Sequence, residues 1–159
     1  MKYTAFGSFL IKATGSFFFI GYLPLIPGTF GSLAGVGLFY LLQTGNPENY
    51  FLFTFCLIIL GLFVSGRMER LLGKKDPGCI VIDEVAGMLI ALSFMPAIPR
   101  VVFLAFLIFR ILDTLKPYPI GRLQNLRGSL GVMADDLIAG IYTNIMLQVI
   151  LKLAFSKTV

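Results

Sequence analysis

Long apolar stretches, with most of the charged residues at or between their ends, make up this chain. Of its 159 residues, 57% are hydrophobic and only 13% are charged. In a water-soluble domain about a quarter of the residues are charged and help to cover the surface. Because this chain cannot bury so much apolar surface in a core of its own size, we predict a single membrane-embedded domain over residues 1–159.

Five apolar stretches are expected to form short transmembrane helices, which predicts an all-α, polytopic membrane helix bundle. They cover residues 30–44, 50–64, 80–95, 101–115 and 136–154. Each is shorter than the ~20 residues that a helix needs to cross a bilayer, so the helices must extend into their acidic ends. A preceding apolar segment, residues 3–20, contains Lys12 and is predicted to form an interfacial or re-entrant helix.

Lysine and arginine side chains predict the orientation of the bundle, because cytoplasmic loops of membrane proteins are enriched in them. Residues 65–79 contain four basic side chains and residues 116–135 contain three, whereas residues 43–49 contain none. We therefore expect the N-terminus and both basic loops to lie in the cytoplasm. Lys152 and Lys157, near the C-terminal end, disagree with this orientation.

Six of the eight acidic residues fall on the predicted cytoplasmic side of the membrane. They are Asp76, Asp83, Glu84, Asp113, Asp135 and Asp136. Adjacent acidic pairs at helix starts commonly cap the helix or offset its dipole, and this explanation stays open for both pairs. Carboxylates gathered in a low dielectric repel one another unless a cation lies between them. Since histidine is absent, the oxygen ligands point to Mg²⁺ or a similar ion.

Three charged residues recur at helical spacing near the end of the stretch at residues 101–115. Arg110, Asp113 and Lys116 follow at intervals of three, so successive members are neighbours on a helix. The pattern fits a local ion-pair ladder that lets a charged helix end enter the membrane. It also fits a site in which Asp113 binds a metal ion while Arg110 or Lys116 holds an anion. Ionisable residues within membranes are usually functional, which favours the second interpretation.

A glycine-rich motif, Pro-Gly-Thr-Phe-Gly-Ser at residues 27–32, leads into the first of the five stretches. Its backbone N–H groups and hydroxyls are suited to a phosphate at a helix N-terminus. The alternative is a plain turn in which Thr29 or Ser32 caps the helix. Gly87 and Gly140 lie one turn after the acidic pairs and are interpreted as packing residues that let helices approach closely.

Several phosphatase chemistries are excluded by residue type or by spacing. A chain without histidine has neither an imidazole base nor a phosphohistidine intermediate. The cysteine phosphatases require a Cys-x5-Arg loop, but Leu62 and Val85 occupy the arginine positions after Cys56 and Cys79. The Asp-x-Asp triplet of aspartyl-phosphate enzymes is also absent from the sequence. Attack on a phosphate by a metal-activated water stays open, because it needs only carboxylates and a few basic residues.

Four short sequence blocks occur in a characteristic order along the chain. They are PGTFGS at 27–32, DPG at 76–78 with IDEVAGM at 82–88, FRILD at 109–113 with KPYP at 116–119, and GVM at 131–133 with DDLIAG at 135–140. In these blocks the chain resembles the phosphatidylglycerophosphatase A family of bacterial inner-membrane lipid phosphatases. That family commonly has two glycines before the last block, whereas this sequence has Ser129 at the second position.

The resemblance implies Mg²⁺-dependent hydrolysis of phosphatidylglycerol phosphate to phosphatidylglycerol and inorganic phosphate, as a step of phospholipid biosynthesis. It also implies a multi-pass protein of the bacterial inner (cytoplasmic) membrane whose site faces the cytoplasm. The expected partners are a membrane lipid substrate and the bilayer, with no nucleic acid.

The roles expected on this hypothesis follow from the matched blocks. Metal ions are held by Asp83, Glu84, Asp113, Asp135 and Asp136. The catalytic residues are Asp83, Glu84, Asp113 and Asp136. The phosphate and its surroundings are contacted by Lys116, Arg110, Thr29, Ser32, Gly28 and Asp76, the last of these as an outer ligand or as part of a mobile loop.

Other functions can use the same residues. Clustered carboxylates also line proton or cation pathways in transporters, although such pathways normally place polar residues through the midplane of the membrane. A non-catalytic scaffold would use the acids only as helix caps and would tolerate their neutralisation. A CDP-alcohol phosphotransferase is disfavoured, because residues 137–140 after the last acidic pair lack the expected arginine.

Overall fold

The computed structural model describes residues 4–123 and 126–156, and within them it contains helices and no β-strand. The helices are α1 Ala5–Gly15, α2 Pro27–Leu42, α3 Pro47–Leu72, α4 Ile82–Leu92, α5 Pro99–Leu115, α6 Ile120–Leu123 and α7 Ser129–Ser156, with a 3₁₀ helix at Ile20–Tyr22. The prediction of an all-α fold is therefore confirmed. Tyr3, which begins the predicted N-terminal segment, and Lys157 lie outside the described residues.

Local sequence signals determine several helix ends. Helices α2, α3 and α5 begin at Pro27, Pro47 and Pro99, where the missing N–H of proline removes no helical hydrogen bond. Helix α3 ends at Gly73, which adopts the left-handed conformation with a φ of 64° that glycine tolerates best. In the N-terminal segment the α-helix stops at Gly15, earlier than the predicted residue 20.

Helix α4 forms the centre of the bundle. It has only 11 residues, and all of them except Glu84 and Ile90 are buried. Helices α2, α3, α5 and α7 pack against it. At a rise of about 1.5 Å per residue α4 is ~16 Å long, about half the thickness of a bilayer core. Within the stretch at residues 80–95, residues 82–92 thus form an enclosed core helix that is too short to span a membrane by itself.

Glycines allow the closest helix contacts. A Cβ atom on Gly140 of α7 would collide with the backbone carbonyl oxygen of Gly87 on α4. A Cβ atom on Gly87 would lie 2.6 Å from the carbonyl oxygen of Asp136. On the other side of α4, a Cβ atom on Gly35 would lie 2.7 Å from the Cβ of Met88. The interpretation of Gly87 and Gly140 as packing residues is confirmed.

Two helices of the described chain, Pro47–Leu72 and Ser129–Ala154, are long and apolar enough to cross a bilayer. Helices α2 and α5, with 16 and 17 residues, fall below the ~20 residues of a typical span. Large apolar side chains are nevertheless exposed on several outer faces, for example Phe55 on α3 and Phe103 on α5. Membrane association is supported by these features, whereas the prediction of five transmembrane spans is not confirmed.

The carboxyl end of α4 is held by polar side chains of its neighbours. Asn144 of α7 donates its amide hydrogens to the carbonyl oxygens of Ile90, Ala91 and Ser93, with distances of 3.3, 3.1 and 2.7 Å. These contacts satisfy carbonyl groups that a helix end leaves without partners. They also fix the axial position of α4 relative to α7.

Replacing Asn144 with leucine is expected to lower the free energy of unfolding by about 2 kcal/mol, because carbonyl groups in an apolar setting lose their donor. Denaturant unfolding in detergent, followed by circular dichroism, measures the change. Gln148→Leu is the control, since the exposed Gln148 donates a hydrogen bond to the Asn144 side chain and, in the described residues, donates none to an α4 carbonyl. Its loss is expected to cost within about 0.5 kcal/mol. Equal losses in the two variants would contradict the anchoring role of Asn144.

Candidate active site

Three carboxylates from two helices meet near the amino end of α4. Asp83 and Glu84 lie in the first turn of α4, and Asp136 lies on α7. One oxygen from each of the three lies within 4.8 Å of the other two. Asp83 and Asp136 are buried, and Glu84 is half-buried. We call these three residues the acidic cluster.

The acidic cluster fits a divalent cation. The buried oxygens Asp83 Oδ1, Glu84 Oε2 and Asp136 Oδ1 have no hydrogen-bond partner in the described chain. Buried polar atoms nearly always have a partner, and like charges this close repel strongly in a low dielectric. A hard cation removes both penalties, because carboxylate oxygens are its preferred ligands.

The second acidic pair does not lie at a helix start, which corrects the interpretation from sequence. Helix α7 begins at Ser129, about two turns before Asp135 and Asp136. Capping and dipole compensation therefore do not explain this pair, since both act within the first turn. They remain available to Asp83 and Glu84, which occupy the first turn of α4.

Arg110 connects α5 to α2 beside the acidic cluster. Its Nη1 atom lies 2.5 Å from Asp113 Oδ2 and 3.5 Å from Ser32 Oγ. Ser32 is buried and in turn donates its hydroxyl hydrogen to the carbonyl oxygen of Gly28, at 2.9 Å. The guanidinium group is thus fixed within reach of the space next to Glu84.

Lys116 pairs with a different residue from the one expected. Helix α5 ends at Leu115 and Lys116 takes a left-handed conformation, so its Nζ reaches Asp135 Oδ2 on α7 at 2.7 Å. The predicted ion-pair ladder therefore forms only in its first half, between Arg110 and Asp113. Burial lowers the pKa of the Lys116 ammonium, but the hydrogen bond to Asp135 and the attraction of nearby carboxylates outweigh burial and raise the pKa above its usual value. Lys116 therefore contributes positive charge beside Asp135.

The glycine-rich motif is helical, because α2 already begins at Pro27. Its N-cap position is Ile26, without a side-chain hydrogen bond, so capping by Thr29 or Ser32 is wrong. The half-buried Thr29 makes no side-chain hydrogen bond in the described residues. Ser32 is the hydroxyl of the motif that, in this part of the chain, hydrogen-bonds a charged side chain of the site.

Gly28 and Gly31 place α2 directly against the site. A Cβ atom on Gly28 would lie 2.5 Å from Glu84 Oε1 and 3.2 Å from Arg110 Nη1. A Cβ atom on Gly31 would lie 2.8 Å from the Cβ of Val81, just before α4. Sequence reasoning did not select Gly31, although its spacing of three from Gly28 indicates a shared helical face.

Asp76 lies at the edge of the site, in the loop between α3 and α4. Its backbone N–H donates to Glu69 Oε1 at 2.8 Å. Its carboxylate is near enough to interact electrostatically with that of Asp135. The structure thus gathers at one end of the bundle all six acids that the sequence predicts for one membrane face. Among the described residues, those of the acidic cluster alone bring oxygens within metal-ligating distance of one another. Asp113 is instead paired with Arg110, and Asp135 with Lys116.

Comparison with known proteins identifies the family. The family model for Phosphatidylglycerophosphatase A matches residues 13–151, which is most of the chain. The chain belongs to the phosphatidylglycerophosphatase A family. The prediction of a phosphatase enzyme is thereby confirmed.

Curated relatives agree with the family assignment. The chain is 38% identical to a phosphatidylglycerophosphatase A of Escherichia coli, over 76% of this chain and 72% of that protein. It is 36% identical to a protein of the same name from Haemophilus influenzae, over 79% of each. It is also 34% identical to a Bacteroides thetaiotaomicron protein provisionally named a phosphatidylinositol-3-phosphatase, over 89% of this chain and 94% of that protein. No solved structure gives a significant match.

Proposed function

We propose that this phosphatase hydrolyses phosphatidylglycerol phosphate to phosphatidylglycerol and inorganic phosphate, with Mg²⁺, in phospholipid biosynthesis. The observation that carries the proposal is the acidic cluster, with its unpaired buried oxygens, next to Arg110. The names of the relatives from Escherichia coli and Haemophilus influenzae support the substrate.

The acidic cluster is the proposed metal site. Asp83, Glu84 and Asp136 are the first ligands, because their oxygens already converge. Asp113 and Asp135 are proposed as further ligands. To bind the metal, Asp113 would release Arg110 and Asp135 would release Lys116. When bound there, Mg²⁺ supplies positive charge that stabilises a phosphoryl group under attack by water.

The basic residues of the site are proposed to bind the phosphate, and a carboxylate is proposed to act as the general base. Arg110 and Lys116 are the proposed phosphate ligands, since each carries several donors and lies beside the acidic cluster. Ser32 fixes the guanidinium of Arg110, and Gly28 lets α2 approach Glu84 and Arg110 closely. One carboxylate of the site accepts the proton of the attacking water. Thr29 and Asp76 contribute only to the surroundings of the phosphate.

The proposed setting is the bacterial inner membrane, crossed several times, with the site on the cytoplasmic side. Helices α2, α3, α5 and α7 would cross the membrane around the enclosed α4. The basic residues Arg67, Arg70, Arg122 and Arg127 stand at the same end of the bundle as the acidic cluster and are exposed there, which supports a cytoplasmic site. A transporter is not favoured, because the chain belongs to a phosphatase family.

A second substrate is suggested by the Bacteroides thetaiotaomicron relative. That protein matches a larger share of this chain than the other two relatives do, and its name assigns it phosphatidylinositol 3-phosphate. Both lipids present a phosphate monoester on a hydroxylated headgroup, so the acidic cluster and Arg110 suit either one. Because the same metal site would serve both lipids, the rates at which the protein hydrolyses them distinguish the two substrates.

Phosphate release by the purified protein in detergent tests the proposal. With Mg²⁺ present, release from phosphatidylglycerol phosphate is expected, and chelation by EDTA should lower it at least about 100-fold because the acidic cluster loses its cation. Phosphatidylinositol 3-phosphate is assayed in parallel, and faster release from it would favour the second substrate. Release that persists in EDTA contradicts the metal site, and no release from either lipid by folded protein contradicts the proposed function.

A further inference from the structure

An apolar groove runs along the outer surface between α2 and α5. It encloses a cavity of about 240 Å³, and its lining contains no charged residue. Leu33, Val36 and Tyr40 line it from α2, and Phe106, Phe103 and Pro99 line it from α5. Leu33 and Phe103 are 48% and 62% exposed, so the groove is open to the surroundings of the bundle.

The groove begins at the candidate active site. Ser32 directly precedes Leu33 on α2, and Arg110 follows Phe106 by one helical turn on α5. The 3.5 Å contact between Arg110 Nη1 and Ser32 Oγ bridges the two helices at this end. From Ser32 to Tyr40 the groove follows α2 for about 12 Å, away from the carboxylates.

This direction is the one that a lipid substrate requires. A phosphate held by Arg110 beside the acidic cluster lies at the polar end of the groove, and the acyl chains of the same molecule must continue toward the membrane interior. We propose that the groove between α2 and α5 binds an acyl chain of the phospholipid substrate. This inference rests on the proposed function, and it assigns the part of the substrate that the acidic cluster does not contact.

The dimensions of the groove fit part of one chain. With a length of about 12 Å along α2 and a volume of about 240 Å³, the groove accommodates part of one acyl chain. A larger apolar cavity of about 470 Å³ lies between α1, α2 and α3. It is lined by Ile82 and by residues such as Phe53 and Leu60, and none of its lining residues belongs to the candidate site. The groove between α2 and α5 is favoured because its lining starts at Leu33, next to Ser32, and at Phe106, one helical turn from Arg110.

Filling the groove tests the inference through chain-length preference. The measured ratio is kcat/KM for dipalmitoyl phosphatidylglycerol phosphate divided by kcat/KM for the dihexanoyl form. Val36→Phe is expected to lower this ratio about tenfold. Tenfold corresponds to about 1.4 kcal/mol, the transfer free energy of about two methylenes. Val149→Phe makes the same enlargement on an exposed face of α7 and should keep the wild-type ratio. An unchanged ratio in Val36→Phe overturns the inference, whereas an inactive wild-type protein overturns the proposed function instead.

Photolabelling keeps the inference testable if Val36→Phe does not fold. Wild-type protein in EDTA is irradiated with phosphatidylglycerol phosphate that carries a diazirine in one acyl chain, and the labelled peptides are mapped by mass spectrometry. Labels are expected on residues 33–40 and 99–106, and unlabelled phosphatidylglycerol phosphate should remove them while phosphatidylcholine should not. Labels spread evenly over the exposed faces of α3 and α7, or concentrated in the cavity beside Phe53, would overturn the assignment. The assignment would also be overturned if a second copy of the chain covered the groove and left it unlabelled.

Discussion

Replacing Asp136 with asparagine is expected to lower kcat/KM for phosphate release at least about 10³-fold. This factor corresponds to about 4 kcal/mol of lost transition-state stabilisation. Asparagine keeps the size of the side chain but removes the negative charge that the acidic cluster offers to a cation. The measurement is phosphate release from phosphatidylglycerol phosphate over a range of Mg²⁺ concentrations.

A stability measurement separates a metal ligand from a structural carboxylate. Mg²⁺ should raise the Tm of the wild-type protein, because a ligand that binds only the folded state stabilises it. The Asp136→Asn variant should lose this rise, while its Tm without Mg²⁺ should stay equal or increase as like-charge repulsion falls. Glu48→Gln is the matched control, since Glu48 is exposed in the first turn of α3, outside the site. Wild-type activity in Asp136→Asn would refute the assignment.

Replacing Gly140 with alanine is expected to destabilise the fold by about 3 kcal/mol and to reduce activity more than tenfold. The new Cβ would collide with the backbone carbonyl of Gly87, and neither backbone can move without separating α7 from α4. Separation of these helices also pulls Asp136 away from Asp83 and Glu84. Denaturant unfolding and Mg²⁺-dependent phosphate release are measured on the same preparation.

Gly37→Ala is the matched control for this substitution. Gly37 lies in the middle of α2, and a Cβ atom there would meet nothing within 4 Å. Since alanine favours a helix over glycine by about 1 kcal/mol, the control should be neutral or stabilising and fully active. Equal stability of Gly140→Ala and Gly37→Ala would show that the close contact of α4 with α7 is not required.

The sequence predicts where the acidic residues gather more accurately than it predicts the helix bounds. The acids chosen from sequence lie at one end of the bundle, because their positions near the ends of apolar stretches follow from local periodicity. The apolar pattern predicts that the last helix starts at residue 136, but α7 begins at Ser129. Its first turns pack against α3, where a Cβ atom on Gly66 would lie 3.1 Å from the backbone nitrogen of Ser129. A contact between residues so distant in sequence leaves no local signal.

The sequence by itself determined the all-helical class, the set of acidic residues at one end of the bundle, and the family, because residue types, apolar periodicity and short ordered blocks are local properties. The tertiary structure alone decided that Asp83, Glu84 and Asp136 converge, that Lys116 bonds to Asp135, and that α4 is enclosed. These features depend on how each helix is rotated about its axis and on how closely glycines let backbones approach. Rotation and approach are set by packing between residues far apart in the chain. No single stretch of sequence contains both partners of such a contact.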